Sequence, residues 1–165
     1  MERICNDTLS RMEKLFGNTP LWAAFIAFVL AQAIKPFTGL LDGKGWNMRM
    51  LTTTGGMPSS HSATMAALTV SIAMVEGLGS HLLAISFVAS LIIMNDAMNV
   101  RYETGKQAEI INKWSELLSE IHKNGAFSPE NLKTMIGHSS LQVAAGALLG
   151  LITGSVFTYF REFHV

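Results

Sequence analysis

Charged side chains are scarce in this sequence of 165 residues, in which Asp, Glu, Lys and Arg together make up 15%. An average soluble domain contains about 25%. The deficit lies in four stretches without any charged residue, of 20, 25, 19 and 27 residues: Leu15–Ile34, Leu51–Val75, Gly77–Asn95 and Thr134–Phe160. About 20 mainly apolar residues cross a bilayer as a helix. A soluble all-α protein is the alternative, but it would have too little polar surface to cover four such stretches.

Cysteine is nearly absent, and we expect neither a basic tail nor a cleavable leader. The single Cys5 excludes an intrachain disulfide. Twelve basic and twelve acidic residues give a formal net charge of zero, and no basic tail indicates a nucleic-acid partner. The first apolar stretch starts late and is not followed by a small-residue cleavage site. We therefore expect this stretch to be a membrane helix rather than a signal peptide.

Turn residues between the uncharged stretches divide them into helices. We expect four membrane helices, at 18–35, 60–77, 80–98 and 139–160. Between Glu103 and Asn124, apolar residues recur at helical spacing and charged residues fill the other face. This pattern predicts an amphipathic helix that lies on the membrane surface or caps the bundle. The predicted fold class is all-α: a polytopic membrane helix bundle with an amphipathic interfacial helix, in a single domain over 1–165.

Four crossings would place both chain ends at one membrane face and the segments 36–59 and 99–138 at the other. A short helix is expected in the second segment, from Ser128-Pro129 to Ile136. This face carries eight Lys or Arg residues and the terminal face four, which by the positive-inside rule favours a cytoplasmic site face. If the four cations that could bind phosphate are left out of this count, four Lys or Arg residues remain on each face. The expected location is a bacterial inner membrane or an organelle membrane.

The segment Gly55–Ala63 reads Gly-Gly-Met-Pro-Ser-Ser-His-Ser-Ala. Its glycines permit backbone conformations closed to other residues, and its serines can cap the helix that follows. The first turn of a helix has unpaired N–H groups and the positive end of the helix dipole, which suits a phosphate. His61 would lie in this first turn. A capped helix start whose histidine only faces water is the alternative at this segment.

A second histidine repeats this arrangement in Gly137–Gln142, where His138 and two serines follow a glycine at another helix start. Asp96 lies at the end of an otherwise uncharged stretch, where an ionisable group is costly and indicates function. Lys35 ends the first predicted membrane helix on the same face. Each of these residues alone could be an interfacial side chain, but two histidines at helix starts among cations on one face are less expected by chance.

These motifs resemble those of the divergent branch of the type-2 phosphatidic acid phosphatase superfamily, also described as acid phosphatase/vanadium-dependent haloperoxidase-related. The similarity extends roughly from Leu21 to Gly150. It is carried by Gly55–Ala63, Asp96–Arg101, Gly105–Ala108, Gly137–His138 and Ala144–Gly150. The resemblance implies that phosphate binds to Lys35, Ser59 and Ser60, that the general acid is His61, and that the nucleophile is His138.

The sequence departs from the superfamily pattern at three places. Asp42 stands where an arginine is expected, no arginine precedes His138 at the expected position, and Gln142 replaces the acid that normally orients the nucleophile. The resemblance then implies that other residues take over these roles. The additional phosphate ligands would be Arg101, Lys106 and Lys133, and the orienting acids Asp96 or Glu109.

The activity implied by the resemblance is metal-independent hydrolysis of a lipid phosphate through a phosphohistidine intermediate, with no cofactor. The lipid would be phosphatidylglycerophosphate, phosphatidic acid or a polyprenyl diphosphate. The expected partners are this lipid and the membrane, not nucleic acid, and the oligomeric state is open. Three alternatives are a catalytically impaired lipid-phosphate-binding protein or assembly partner, a small transporter or channel, and a metal site formed by His61, His138 and Asp96.

Overall fold

The computed structural model of this chain describes residues 12–41, 56–121, 132 and 139–164. After a short helical segment over 12–16, the described helices are α1 (Thr19–Leu41), α2 (Ser60–Glu76), α3 (His81–Met98), α4 (Val100–Ile121) and α5 (Ser140–Phe163). The described residues contain no β-strand. The all-α prediction is confirmed, and the four predicted membrane helices correspond to α1, α2, α3 and α5. The short helix predicted over 129–136 lies outside the described residues.

Helix α2 is the centre of the bundle, since it packs against α1, α3 and α5. At one end of the bundle, the Thr19 hydroxyl donates to the Glu162 carboxylate, and the Arg161 guanidinium donates to the Phe16 carbonyl. The start of α1 and the end of α5 therefore lie together. The other end, which we call the site end, holds the end of α1, the start of α2, the end of α3 and the start of α5.

The distribution of side-chain sizes is the reverse of that in a soluble protein. Large apolar side chains such as Phe25, Ile85 and Leu148 are exposed on the outside of the bundle. The buried cluster between helices consists of four alanines: Ala27, Ala31, Ala63 and Ala67. Lipid-facing apolar side chains and small residues between helices are what a bilayer favours. The protein is an all-α membrane helix bundle.

Three helical stretches among the described residues are long and apolar enough to cross a membrane: Thr19–Leu40, His81–Glu120 and Ser140–Phe163. The sequence predicted four. The helix that is missing from this set is α2, which has 17 residues, or about 25 Å at 1.5 Å per residue. It is shorter and richer in Ser, Thr and Ala than its neighbours, and such small residues suit its position between three helices.

Helix α1 does not end at Lys35, as predicted from the sequence, but continues through Pro36 to Leu41. The prediction was wrong because a proline removes only its own bond to the carbonyl four residues before it, here that of Gln32. Membrane helices tolerate this loss where nearby hydroxyl groups bond to the backbone. The Thr38 hydroxyl lies 3.0 Å from the Lys35 carbonyl, a bond within the turn that contains the proline, although it does not replace the bond lost at Gln32. Lys35 is therefore inside the helix, and its side chain does not end in water.

Helices α2 and α5 run parallel and approach closely at three glycines of α5. A Cβ atom on Gly146 would lie 2.3 Å from the Ser59 carbonyl oxygen, and one on Gly150 would lie 2.1 Å from the Ala63 carbonyl oxygen. Gly154 meets α2 in the same way, one turn further on. Small residues four apart let membrane helices pack backbone to backbone. This contact fixes the start of α5 against the start of α2.

Hydroxyl groups connect α2 to its neighbours inside the bundle. The Thr158 hydroxyl of α5 donates to the Ser71 hydroxyl of α2 at 2.6 Å, and both side chains are fully buried. The Ser90 hydroxyl of α3 lies 2.9 Å from the Thr69 hydroxyl and 3.4 Å from the Met65 carbonyl of α2. These bonds set the register of α2 against both α5 and α3.

We expect the Thr158–Ser71 bond to make a measurable contribution to stability. In a double-mutant cycle of Thr158→Val and Ser71→Ala, the coupling energy should be about 0.6 kcal/mol and no more than about 1.7 kcal/mol, the range found for such bonds in membranes. The free energy of unfolding in detergent is the quantity to measure. The control is the pair Thr158→Val and Thr104→Val. Their effects on the free energy of unfolding should be additive, because the two residues lie on different helices and share no hydrogen bond. Additivity of the first pair would contradict the assignment.

Helices α3 and α4 are nearly continuous. Asn99 joins them with a right-handed helical backbone (φ −106°, ψ −67°), its amide donates to the Asn95 carbonyl, and the Glu103 amide donates to the Asn99 carbonyl. The amphipathic helix predicted over 103–124 is therefore present as Val100–Ile121, but it extends the third membrane helix directly. No separate loop divides the two.

Helix α4 presents different faces to its surroundings. Gly105 and Ala108 are buried, and the Asn112 side-chain amide exchanges two hydrogen bonds of 2.9 Å with the Leu132 backbone. On another face Ile110 and Trp114 are more than half exposed. An exposed apolar face beside a charged one fits an interfacial helix.

Candidate active site

The segment 56–59 ends in a buried cap on α2. Ser59 has an extended backbone (φ −68°, ψ 116°), and its side-chain oxygen accepts from the Ser62 amide at 3.4 Å and from the Ser62 hydroxyl at 3.0 Å. Gly56 adopts φ 94°, a conformation that favours glycine. Ser59 and Ser60 are both buried. The first turn of α2 thus has the remaining N–H groups and the positive dipole end that suit an anion.

Lys35 of α1 reaches the first turn of α2. Its ammonium group donates to the Ser60 hydroxyl at 3.4 Å, and the residue is only 2% exposed. Gly56 lies against its aliphatic stem, since a Cβ there would be 3.9 Å from Cγ and Cδ of Lys35. A buried ammonium group in a membrane helix is costly and indicates function. Its hydrogen-bond partner is one of the two serines predicted to bind phosphate.

The start of α5 meets the same segment. The Ser59 amide donates to the Gln142 carbonyl at 3.0 Å, and the glycine contact between α2 and α5 begins one turn later, at Gly146. Ser139 caps α5, so the residue that follows His138 in the chain belongs to the helix start that touches Ser59. The structure thereby brings together Lys35, Ser59, Ser60 and the beginning of α5. His138 itself lies outside the described residues.

Gln142 has a structural role at this helix start. Its side-chain oxygen accepts from the Ser139 amide at 3.0 Å, and the Ser139 hydroxyl accepts from the Gln142 amide at 3.4 Å, which is a capping box. The amide side chain that replaces the superfamily acid therefore stabilises the backbone directly after His138.

Two further predicted residues lie at the site end. His61 is half-buried in the first turn of α2, and Asp96 is half-buried near the end of α3. Arg101 belongs to the first turn of α4. Lys133, like His138, lies outside the described residues.

Lys106 and Glu109 are on the exposed side of α4 and are engaged with neighbours on the same helix. Lys106 donates to Glu103 at 2.9 Å, and Glu109 accepts from Lys113 at 2.8 Å. Exposed pairs of this kind contribute little to stability. Their predicted roles, as a phosphate ligand and as an orienting acid, stay predictions.

Sequence reasoning missed one residue that holds the site together, Thr38, and named Gly146 only as part of a motif, without its contact to Ser59. The Thr38 hydroxyl bonds to the Met57 carbonyl, which ties the segment 56–59 to α1, and Gly146 admits the Ser59 backbone. Thr38 gave no signal because it follows the proline at which α1 was expected to stop. Within the part of the chain that the structure describes, no three His, Cys, Asp or Glu side chains lie close enough to hold a metal ion.

Comparisons with known proteins agree with the resemblance seen in the motifs. The sequence matches the Divergent PAP2 family over residues 16–153. It is 34% identical over 155 residues to a protein of Bacillus subtilis (strain 168) described as uncharacterized membrane protein YuiD, and the alignment covers 89% of this chain and 98% of that protein. No solved structure matches. Because the family match includes every segment that carries the motifs, this chain belongs to the divergent PAP2 family.

Proposed function

We propose that this protein is a membrane lipid phosphatase that works through a phosphohistidine intermediate. The observation that carries the proposal is the junction of two helix starts: the Ser59 amide, at the cap of α2, donates to the Gln142 carbonyl in the first turn of α5. His61 belongs to the first helix start, and His138 immediately precedes the second. A phosphate held between them would have a histidine available from each side.

The positive groups at this junction are suited to a phosphate. Lys35 is buried with its ammonium group on Ser60, and the first turn of α2 contributes N–H groups and the helix dipole. Fixed donors of this kind stabilise the charge that develops on the equatorial oxygens during phosphoryl transfer. Arg101, Lys106 and Lys133 are proposed to add to this positive charge.

The reaction has two steps. In the first, an imidazole nitrogen of His138 attacks phosphorus in line, the bond to the lipid oxygen breaks, and His61 protonates that oxygen. In the second, His61 takes a proton from water, the water attacks the phosphohistidine, and inorganic phosphate leaves with His138 restored. Dividing one difficult step into two is the gain from covalent catalysis. Histidine suits both roles because its unperturbed pKa of about 6.5 lies near neutral pH.

The substrate is proposed to be a lipid because the site lies at one end of a membrane bundle. Lys35 is six residues before the end of α1, which corresponds to about 9 Å at 1.5 Å per residue. Lys35 and its partner Ser60 therefore lie deeper in the bundle than the end of that helix. A phosphate headgroup could enter while its tails stay among the exposed apolar side chains of the bundle. Phosphatidylglycerophosphate, phosphatidic acid and a polyprenyl diphosphate all meet this requirement.

A second candidate function is lipid-phosphate binding without turnover, for example by an assembly partner. The observation in its favour is Gln142, which stands in place of the orienting acid and whose side chain is used in the cap of α5. Such a protein would keep the anion site and lose the orientation of the nucleophile.

The experiment that separates these functions is phosphate release from the three candidate lipids by the purified protein in detergent, with a chelator present. We expect release with at least one lipid, and inhibition by vanadate, which mimics five-coordinate phosphorus. Release that requires an added metal ion would contradict the mechanism. Vanadate or lipid binding without any release would establish the second candidate instead.

A further inference from the structure

We propose that Thr38 of α1 is a positioning residue for the anion site formed by Lys35 and the first turn of α2. Its hydroxyl holds the segment 56–59, and with it the cap of α2, against the part of α1 that carries Lys35. This inference rests on the proposed function, because it gives a role in phosphate binding to a residue that need not touch the phosphate. The motifs that carry the family resemblance do not include Thr38.

The Thr38 hydroxyl lies between two backbone carbonyls, that of Lys35 at 3.0 Å and that of Met57. A hydroxyl has one proton to donate, so the two acceptors compete for it. Lys35 is inside α1, where the amide of Gly39, four residues later, is the helical donor to its carbonyl. Met57 lies outside the helices, so its carbonyl has no helical donor. The Thr38 proton therefore matters most at Met57.

The segment 56–59 is tied to two different helices. The Met57 carbonyl accepts from Thr38 of α1, and the Ser59 amide donates to the Gln142 carbonyl of α5 at 3.0 Å. Pro58, which lies between these two ties, has no N–H group to donate. Loss of the Thr38 hydroxyl would therefore remove the tie of Met57 to α1 and leave the tie of Ser59 to α5 in place.

The tie to α1 acts beside Lys35. Gly56 lies against the aliphatic stem of this lysine, since a Cβ there would be 3.9 Å from its Cγ and Cδ. The ammonium group lies 3.4 Å from the Ser60 hydroxyl, which is longer than the usual range of about 2.7–3.2 Å. A bond of this length is weak and holds the first turn of α2 loosely. The Thr38 bond, three residues further along α1, fixes the adjoining segment at its distance from Lys35.

A fixed distance between these donors matters for phosphate binding. Donors that are already in place bind an anion without the cost of ordering them. The phosphate contacts the same donors before and during phosphoryl transfer, so donors that are less well fixed weaken both states alike. Such a change raises KM and leaves kcat nearly constant. A residue that only stabilised the fold would instead lower the active fraction, which reduces the measured kcat and leaves KM unchanged.

The test compares Thr38→Val, which removes the hydroxyl but keeps a β-branched side chain, with Thr38→Ser, which keeps the hydroxyl. In Thr38→Val we expect KM for the preferred lipid and the inhibition constant of vanadate to rise by about 2- to 10-fold, as for one lost hydrogen bond. Thr38→Ser should recover most of this loss. The control is Thr104→Val, which removes a hydroxyl that donates to the Val100 carbonyl of α4 at 2.8 Å and should leave both constants unchanged. Unchanged constants in Thr38→Val, or a loss in kcat alone, would overturn the proposal.

Hydrogen exchange in detergent provides a second measurement that does not depend on turnover. The amides of residues 56–62 should exchange faster in Thr38→Val than in the parent, because local opening of this segment costs less free energy, and those of residues 81–98 should not change. Equal exchange over 56–62 in the two proteins would contradict the proposal. If vanadate binds without turnover, its dissociation constant takes the place of KM. If the parent neither releases phosphate nor binds vanadate, the proposed function fails, while exchange still decides whether Thr38 holds the segment.

Discussion

His138→Ala is expected to abolish phosphate release, and His61→Ala to lower kcat by about 10²–10⁴-fold, the usual contribution of a positioned acid or base. The first change removes the nucleophile, so no phosphohistidine can form. The second leaves the nucleophile in place but makes the lipid oxygen depart without a proton. Phosphate release from the preferred lipid, with the chelator present, is the measurement.

The losses in kcat caused by His138→Ala and His61→Ala should not multiply in the double variant. Residues that act in one step lose nearly the full effect with either substitution, so the double variant should be about as inactive as His138→Ala alone. His81→Ala is the matched control because His81 is an exposed histidine at the opposite end of the bundle. Full activity in His138→Ala would eliminate the phosphohistidine mechanism.

Gly150→Ala is expected to destabilise the bundle, and Gly150→Leu to prevent its recovery as a folded protein. The added Cβ would lie 2.1 Å from the Ala63 carbonyl oxygen and 2.8 Å from its carbon. Both are backbone atoms and cannot rotate away. Replacing glycine by alanine within a helix favours the helix by about 1 kcal/mol, but overpacking typically costs about 1–3 kcal/mol. The steric cost should therefore exceed the gain in propensity.

Gly79→Ala is the matched control, because a Cβ there meets nothing within 4 Å. The yield of monodisperse protein and its melting temperature in detergent are the quantities to compare. Activity should fall along with folding, since the same contact holds the start of α5 against Ser59. A Gly150→Leu protein that is as stable and as active as the parent would mean that α2 and α5 are not packed backbone to backbone.

The sequence was informative wherever a local pattern had a single physical solution. Uncharged stretches bounded by turn residues located four helices, and the Ser-rich starts of α2 and α5 were recognised from their caps. It was misleading at Pro36, where α1 continues and where Thr38, two residues later, bonds to the carbonyls of Lys35 and Met57. It also separated α3 from α4, since a change from apolar to amphipathic composition resembles a break even where the backbone continues.

The composition and order of residues were enough, by themselves, to determine that this chain forms membrane helices and carries histidine-containing helix starts, because hydrophobic length and capping are local properties. Only the tertiary structure decided that these starts meet. Their junction depends on the glycines of α5 admitting the backbone of α2 and on the amide of Ser59 reaching the carbonyl of Gln142. Such contacts join residues that are far apart in the chain, so their distances follow from how helices pack and cannot be read from either segment alone.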